Sequence, residues 1–462
     1  MDRELIREAL YNKYIEPTKK LRENYIGIEI EMPILNMNKE AVDFLIIHEM
    51  TKKFMNHFGF EAIGIDEDGN VYSAQNNKNG DILSYDCSYN NLELSFGVEK
   101  NLNLLDERFI EYYTFIQDEL QKNNYTLTGM GVNPYRKYNN NVPIPSERYR
   151  MLFHYLNLCK KYKSEEIIFH NHPEYGTFSS ASQVQLDVNY EDLVPTILAF
   201  SKLEPIKAYL FSNSILLEED EELLCSRDMF WEKSMHGLNP HNIGMFNCEL
   251  ESVEDLLSYI ETTSIYCVER DGKYINFMPI KIVEYFEKEL IEGEYYEDGS
   301  YKKIKFKPEL EDIKYLRTFK FEDLTFRGTI EFRSVCCQPI RDRMTVAAFH
   351  LGLNSKVKEL KYILDNDNVI YHRGYSADEL RKMFVKRHFP EFVNKKDFKK
   401  LTKQILDLSE EGLKERGFGE EKYLKPLYKR LEEGRNPAEK VLQLREDRVK
   451  IEDIILDYAK LI

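Results

Sequence analysis

The amino-acid sequence predicts an α+β protein built on an antiparallel sheet, and three observations carry that expectation. Short segments alternate polar and apolar residues with period two, as half-buried strands do. Longer stretches with helical spacing lie between and after them, but they do not interleave regularly with the strands as a parallel sheet requires. No Gly-rich phosphate loop opens a helix, which also argues against a doubly wound fold.

In chain order, YIGIEIEMPI (25–34) reads as the first strand and AVDFLIIHEMTKKFMNHFG (41–59) as a helix. NNLELSF (90–96) is a strand, and a helix is expected near Leu104 to Leu120. SQVQLDV (182–188) is a strand, LVPTILAFSKLEPIKAYLF (193–211) an apolar helix, and GTIEFRSV (328–335) a strand. A charged helical tail closes the chain. In ILDLSEEGLKERGF, Ile405, Leu408, Leu413 and Phe418 fall at roughly helical spacing, with Gly417 as a left-handed cap. Asn436 is the expected N-cap of the next helix, with Pro437 at its first position. The expected division is a chemistry-bearing unit over 1–370 and a helical C-terminal region over 371–462 packed on it.

Composition excludes several functions. The formal charge of -16 over 462 residues leaves no basic surface for a nucleic-acid backbone. Met1 to Tyr14 alternates charged and apolar residues, unlike a signal peptide. No window approaches the roughly 18 apolar residues of a membrane span, so a cytoplasmic protein without a membrane partner is expected. The seven cysteines (Cys87, Cys159, Cys225, Cys248, Cys267, Cys336, Cys337) form no CxxC pair, and neither a zinc knuckle nor a disulfide framework is suggested.

The informative feature is charge placed at i and i+2 inside apolar strands. Glu29 and Glu31 share one face, as do Glu93 and Ser95, then Gln183, Gln185 and Asp187, and finally Glu331 and Arg333. Four such strands could give one sheet a greasy back and a carboxylate-rich front. Crowded carboxylates repel unless cations neutralise them. Oxygen-only donors suit Mg²⁺ or Mn²⁺ rather than zinc, and such a front could seat a metal-bound triphosphate, with Arg333 offsetting charge on a transferred phosphoryl group. The same alternation also describes the solvent face of an antiparallel sheet, so periodicity alone leaves both readings open. His170 and His172 have no third soft ligand nearby and read as polar loop residues. Cys336 and Cys337 have no adjacent base and read as inert thiols.

Together these segments resemble glutamate-cysteine ligase of the plant and proteobacterial type. The likeness runs in order from YIGIEIEMPI and NNLELSFG through TGMGVNPYRKYNNNVPIPSERYRMLFHYL, ASQVQLDV, LFSNSI, SRDMFW and GTIEFR to EEGLKERG and NPAEKVL. It implies a curved six-stranded antiparallel sheet, a funnel related to the catalytic domain of glutamine synthetase. It implies an ATP-dependent, Mg²⁺-using ligase that converts the γ-carboxylate of glutamate to an acyl phosphate, which the amine of cysteine attacks, the first step of glutathione-type thiol synthesis. Carried over by position, Glu29, Glu31, Glu93 and Glu331 are the implied metal carboxylates, with Asp86 beside them. Arg333 and Glu331 are the implied catalytic pair, and Arg148, Arg227, Gln183, Gln185 and Trp231 the implied substrate contacts, in a monomer or homodimer.

Three segments depart from the family pattern: EKSMHGLNPHNIG with His236 and His241, LTFRGT with only Arg327, and FHNHPEYGTFSS. They bear on the acceptor side. A γ-glutamyl ligase for another amine, and a relative that binds metal or nucleotide without catalysis, are the alternatives.

Overall fold

Strand β1 (Ile26–Asn36) runs through the middle of the principal sheet. This computed structural model describes residues 2–162, 167–246 and 250–462, and Cys248 lies outside the described residues. The further strands are β2 (Glu61–Ile65), β3 (Val71–Gln75), β4 (Ile82–Tyr85), β5 (Asn91–Glu99), β6 (Tyr125–Leu127), β7 (Ser182–Asp187) and β8 (Ile243–Gly244). They continue with β9 (Ser264–Arg270), β10 (Lys273–Lys281), β11 (Ile291–Glu297), β12 (Ser300–Phe306), β13 (Phe319–Lys320), β14 (Glu322–Leu324) and β15 (Thr329–Phe332). The principal sheet has the order β14-β15-β7-β1-β5-β4-β3-β2, with β6 also paired to β1, and every pairing in it is antiparallel.

The α+β antiparallel expectation is met, but the sheet has nine strands rather than six. β2, β3 and β4 extend one edge and β14 the other; β2 is largely open to solvent and β3 only half-buried, so neither carries an apolar face, and β14 is only three residues long. A second sheet, β12-β11-β10-β9, was not expected at all. Its strands mix tyrosine with charge on partly open faces, as in Ile291–Glu297, and so lack a clean apolar stripe.

Period two places Ile28, Ile30, Leu92, Leu94, Val184, Leu186, Ile330 and Phe332 on the back of the principal sheet, where all are buried. The helices Phe44–Phe58 and Leu102–Gln121 cover one half of that back. Asp43 caps the first by accepting from the Leu45 amide at 3.0 Å, and Gly59 closes it at φ 70°. The other half is covered by the helix Leu193–Phe211, whose Phe200 ring lies 4.4 Å from Phe332. That helix is buried on nearly every side, which explains its unbroken apolar character.

The C-terminal elements are helices, and the longest, Lys395–Arg416, packs against Thr345–Asn354. They touch at Gly352 and Gly412, where a Cβ on Gly412 would stand 2.1 Å from the Gly352 carbonyl oxygen. Gly417 adopts the expected left-handed cap at φ 78°. Asn436 forms a capping box with Glu439, with Pro437 opening the helix. Ile405 and Leu413 are buried, whereas Phe418, despite its helical spacing from them, lies past the Gly417 cap and is 43% exposed. No helix among the described residues is long and apolar enough to cross a membrane.

Candidate functional site

The polar front of the principal sheet opens into a cavity of about 1130 Å³. Register explains why its charges converge. Glu31 stands opposite Glu93, and Glu29 opposite both Ser95 and Gln183. Glu331 stands between Gln185 on β7 and Asp323 on β14. Side chains directly opposite in neighbouring strands share a face, so Glu29, Glu31, Glu93, Gln183, Gln185 and Glu331 all line the cavity. Asp86, Arg148, Arg227, Trp231 and Arg333 reach it from loops and helices. The residues carried over as metal, catalytic and substrate candidates therefore border one space, whereas Asp187, read on the same face, lies outside the lining and pairs with Arg22 at 3.3 Å.

Within it the charges form two groups. Glu31, Asp86 and Glu93 each present an oxygen, and these lie within 4.8 Å of one another. Burial, and then repulsion from Asp86, hold the Glu31 carboxyl up at about 8 and that of Glu93 at about 7. Glu31 accepts from the Ala181 amide at 2.7 Å and from Gln183 Nε2 at 2.9 Å. Ser95 and Ser84 donate to Glu93 at 2.6 and 3.3 Å. In the second group, Glu331 pairs with Arg333 and accepts from Gln185 Nε2 at 2.8 Å. Glu29 lies between the groups, and its carboxyl is raised well above the usual range by burial, then by Glu331 and Glu93.

The first group fits a hard divalent cation. Its donors are all oxygen, their mutual repulsion is unrelieved by a bonded cation, and the buried Gln183 Oε1 beside them has no hydrogen-bond partner among the described residues.

Arginines differ in how they are held. Arg227, on the short helix Ser226–Glu232, is buried and donates to the carbonyls of Ser334 at 3.4 Å and Arg333 at 3.5 Å. Arg148 makes no ion pair among the described residues and borders the cavity from the N-terminal turn of Glu147–Asn157. An unpaired guanidinium there is free to take a carboxylate.

Trp231 stacks on Phe319 at 4.6 Å, and His236 packs against Phe319 and Tyr266 at 4.3 and 5.1 Å. His236, one of the departures from the family pattern, thus belongs to an aromatic wall, and burial holds its imidazole down at about 3. The unfolded chain takes a proton near pH 6.5 while the folded one does not, so this group costs stability as pH falls from about 6.5 toward 3, at about 1.4 kcal/mol per pH unit. His236→Phe is expected to flatten the acid limb of a urea-midpoint profile between pH 6 and 4. An unchanged limb would show that the imidazole is protonated in the fold.

His170 and His172 stay apart from the cavity. His170 Nε2 lies 3.0 Å from the Phe230 carbonyl and His172 Nε2 3.2 Å from Glu219. Cys336 and Cys337 are buried, with Cys336 Sγ 3.5 Å from Cys225 Sγ. Sequence reasoning missed Asp323, whose carboxyl lines the cavity, accepts from Thr318 and is pushed up to about 7 by burial. Its strand is three residues long, and its neighbour Glu322 is buried behind the sheet, so no alternation marks it. Arg317, Tyr266 on β9 and Tyr274 on β10 also border the cavity, and the sequence reading singled out none of them.

The family model described as glutamate-cysteine ligase family 2 matches residues 27–457. The chloroplastic glutamate-cysteine ligase of Solanum lycopersicum is 25% identical over 271 residues, which are 57% of this chain and 48% of that protein. Its counterpart in Nicotiana tabacum is 26% identical over the same shares. The chain spans about half the length of these plant relatives. The crystal structure of glutamate-cysteine ligase from Francisella tularensis in complex with AMP superposes with a TM-score of 0.49 at 12% identity, covering 95% of this chain and 88% of that one.

Proposed function

Because the chain belongs to glutamate-cysteine ligase family 2, we propose that it joins the γ-carboxylate of glutamate to the amine of cysteine, using ATP to form a γ-glutamyl phosphate. The observation that carries this reading is the convergence of Glu29, Glu31, Asp86, Glu93 and Glu331 with Arg148, Arg227 and Arg333 on one cavity. A carboxylate has no good leaving group, so amide formation at neutral pH needs prior phosphorylation. The polar front of an antiparallel sheet enclosing the reaction space supports the finer reading of a glutamine synthetase-like funnel.

Glu31, Asp86 and Glu93 would hold a divalent ion, with Glu29 and Glu331 as the further carboxylates beside it, Mg²⁺ favoured and Mn²⁺ as the alternative. When bound, such ions neutralise triphosphate charge and polarise phosphoryl oxygens. Arg333, oriented by Glu331, offsets negative charge on the phosphoryl group in transit. Arg148 and Arg227 receive substrate carboxylates through their planar forks. Gln183 and Gln185 fix the carboxylates of Glu31 and Glu331 by donating their amide hydrogens. The wall of Trp231, His236 and Phe319 keeps water from the acyl phosphate.

Incubation with ATP, glutamate, Mg²⁺ and a panel of amines, followed by product mass, tests the reading. The expected result is ADP release that needs glutamate and amine together, with γ-glutamylcysteine as product. ADP release with no amine in the panel would refute ligation. A second reading, another amine as acceptor, is favoured by the aromatic wall, because His236 lies in a segment that departs from the family pattern. Turnover with a different amine and none with cysteine would establish it.

A further inference from the structure

The helical C-terminal region sends one side chain to the edge of the site. Arg381, on the helix Ala377–Phe384, is 3% exposed. Its guanidinium grips Asp228 through both arms, Nε to Oδ2 at 2.7 Å and Nη2 to Oδ1 at 3.0 Å. The same group donates to the Ser334 carbonyl at 3.4 Å, to the Glu204 carbonyl at 3.2 Å and to the Glu204 carboxylate. Asp228 is the residue after Arg227, and Ser334 is the residue after Arg333. One planar group therefore binds the immediate neighbour of each of two cavity arginines.

Arg227 donates to that same Ser334 carbonyl at 3.4 Å. Arg381 also lies over the Phe321 ring at 4.6 Å, and the Phe321 carbonyl accepts from the Arg333 amide at 3.0 Å. Glu204, which neutralises Arg381 from behind, accepts in turn from the Ser334 hydroxyl at 2.9 Å and pairs with buried Lys207. The helix Ser226–Glu232 and the chain leaving β15 are thus tied by charge-assisted bonds that a rigid fork satisfies and a flexible ammonium does not.

We propose that Arg381 is a positioning residue for the ligase reaction, setting the separation between Arg227 and Arg333 and with it the alignment of a bound carboxylate against the phosphoryl group. The inference rests on the function proposed above. It assigns to a residue of the 371–462 region a part in the chemistry that the sequence places wholly upstream. Misplacement by about 1 Å is enough to cost on the order of 100-fold in rate.

The test is a double-mutant cycle in the full-length protein, with Arg381→Lys and Arg227→Lys alone and together, read as kcat and KM for glutamate and amine beside thermal midpoints and ATP affinity. Arg381→Lys is expected to lower kcat/KM by roughly 10- to 100-fold with ATP affinity unchanged, and the double variant is expected to lose much less than the product of the single losses. Unchanged kinetics in Arg381→Lys, or losses that multiply, would overturn the inference. Should Arg381→Lys fail to fold, Asp228→Asn replaces it in the cycle, since it keeps the shape but removes the charge and one of the two acceptors that Arg381 grips, and the same two outcomes decide. Wild-type protein that turns over no amine defeats the functional reading itself, whereas an active wild type with multiplying losses defeats only the role of Arg381.

Discussion

Arg333→Ala is expected to lower kcat by on the order of 100- to 1,000-fold while ATP binding holds within a few-fold. The reason lies in where the guanidinium is anchored. Arg333 extends from the end of β15, its amide is bonded to the Phe321 carbonyl at 3.0 Å, and Glu331 fixes its side chain. A donor held this way stabilises charge that appears only as the phosphoryl group moves, so its loss falls on the chemical step rather than on ground-state binding. The substitution also leaves Glu331 without its cation, beside a Glu29 that already repels it. Arg333→Ala combined with Glu331→Gln separates the two effects: if turnover returns in the double variant, the defect was the uncompensated carboxylate. If Arg333→Ala alone keeps wild-type kcat, the residue has no part in phosphoryl transfer.

What the sequence made legible was the part of the site governed by alternation. Glu29, Glu31, Glu93, Gln183, Gln185 and Glu331 sit on strands long enough, or apolar enough, for period two to be read directly, and the register then brings them together. The unread parts depend on long-range packing. Asp323 occupies a three-residue strand. Glu204 and Lys207 lie within a helix that reads as plain apolar core, yet Glu204 meets Ser334 and Arg381, which are 130 and 177 positions away. Such contacts satisfy buried charge, and nothing in local spacing announces them. Alternation marks four of the nine strands and the family resemblance implies six, because brief edge strands are set by their partners more than by their own pattern.

Metal-free protein should lose stability as pH rises from about 5 to 8, and a divalent cation should reverse that loss. The unfolded carboxyls ionise near pH 4.3, but in the fold Glu31 holds its proton to about 8 and Glu93 to about 7. Between these limits the folded state binds more protons than the unfolded state, so each group lowers the unfolding free energy by about 1.4 kcal/mol per pH unit. The penalty is complete once the folded groups have ionised. An ion held between Glu31, Asp86 and Glu93 would replace the protons, and it would bind best where the carboxylates are charged. Thermal midpoints in chelator are therefore expected to fall across this window. Mg²⁺ or Mn²⁺ is expected to raise the midpoint more at pH 8 than at pH 5.5, and chelation to abolish turnover. Glu31→Gln with Glu93→Gln should remove the metal shift and lessen the slope, leaving the share that Glu29 and Asp323 contribute, because the amides keep the shape of the site without its charge. A midpoint at pH 8 that ignores both ions would mean that the carboxylates are stabilised by the protein alone, and the cation would have no place at this sheet.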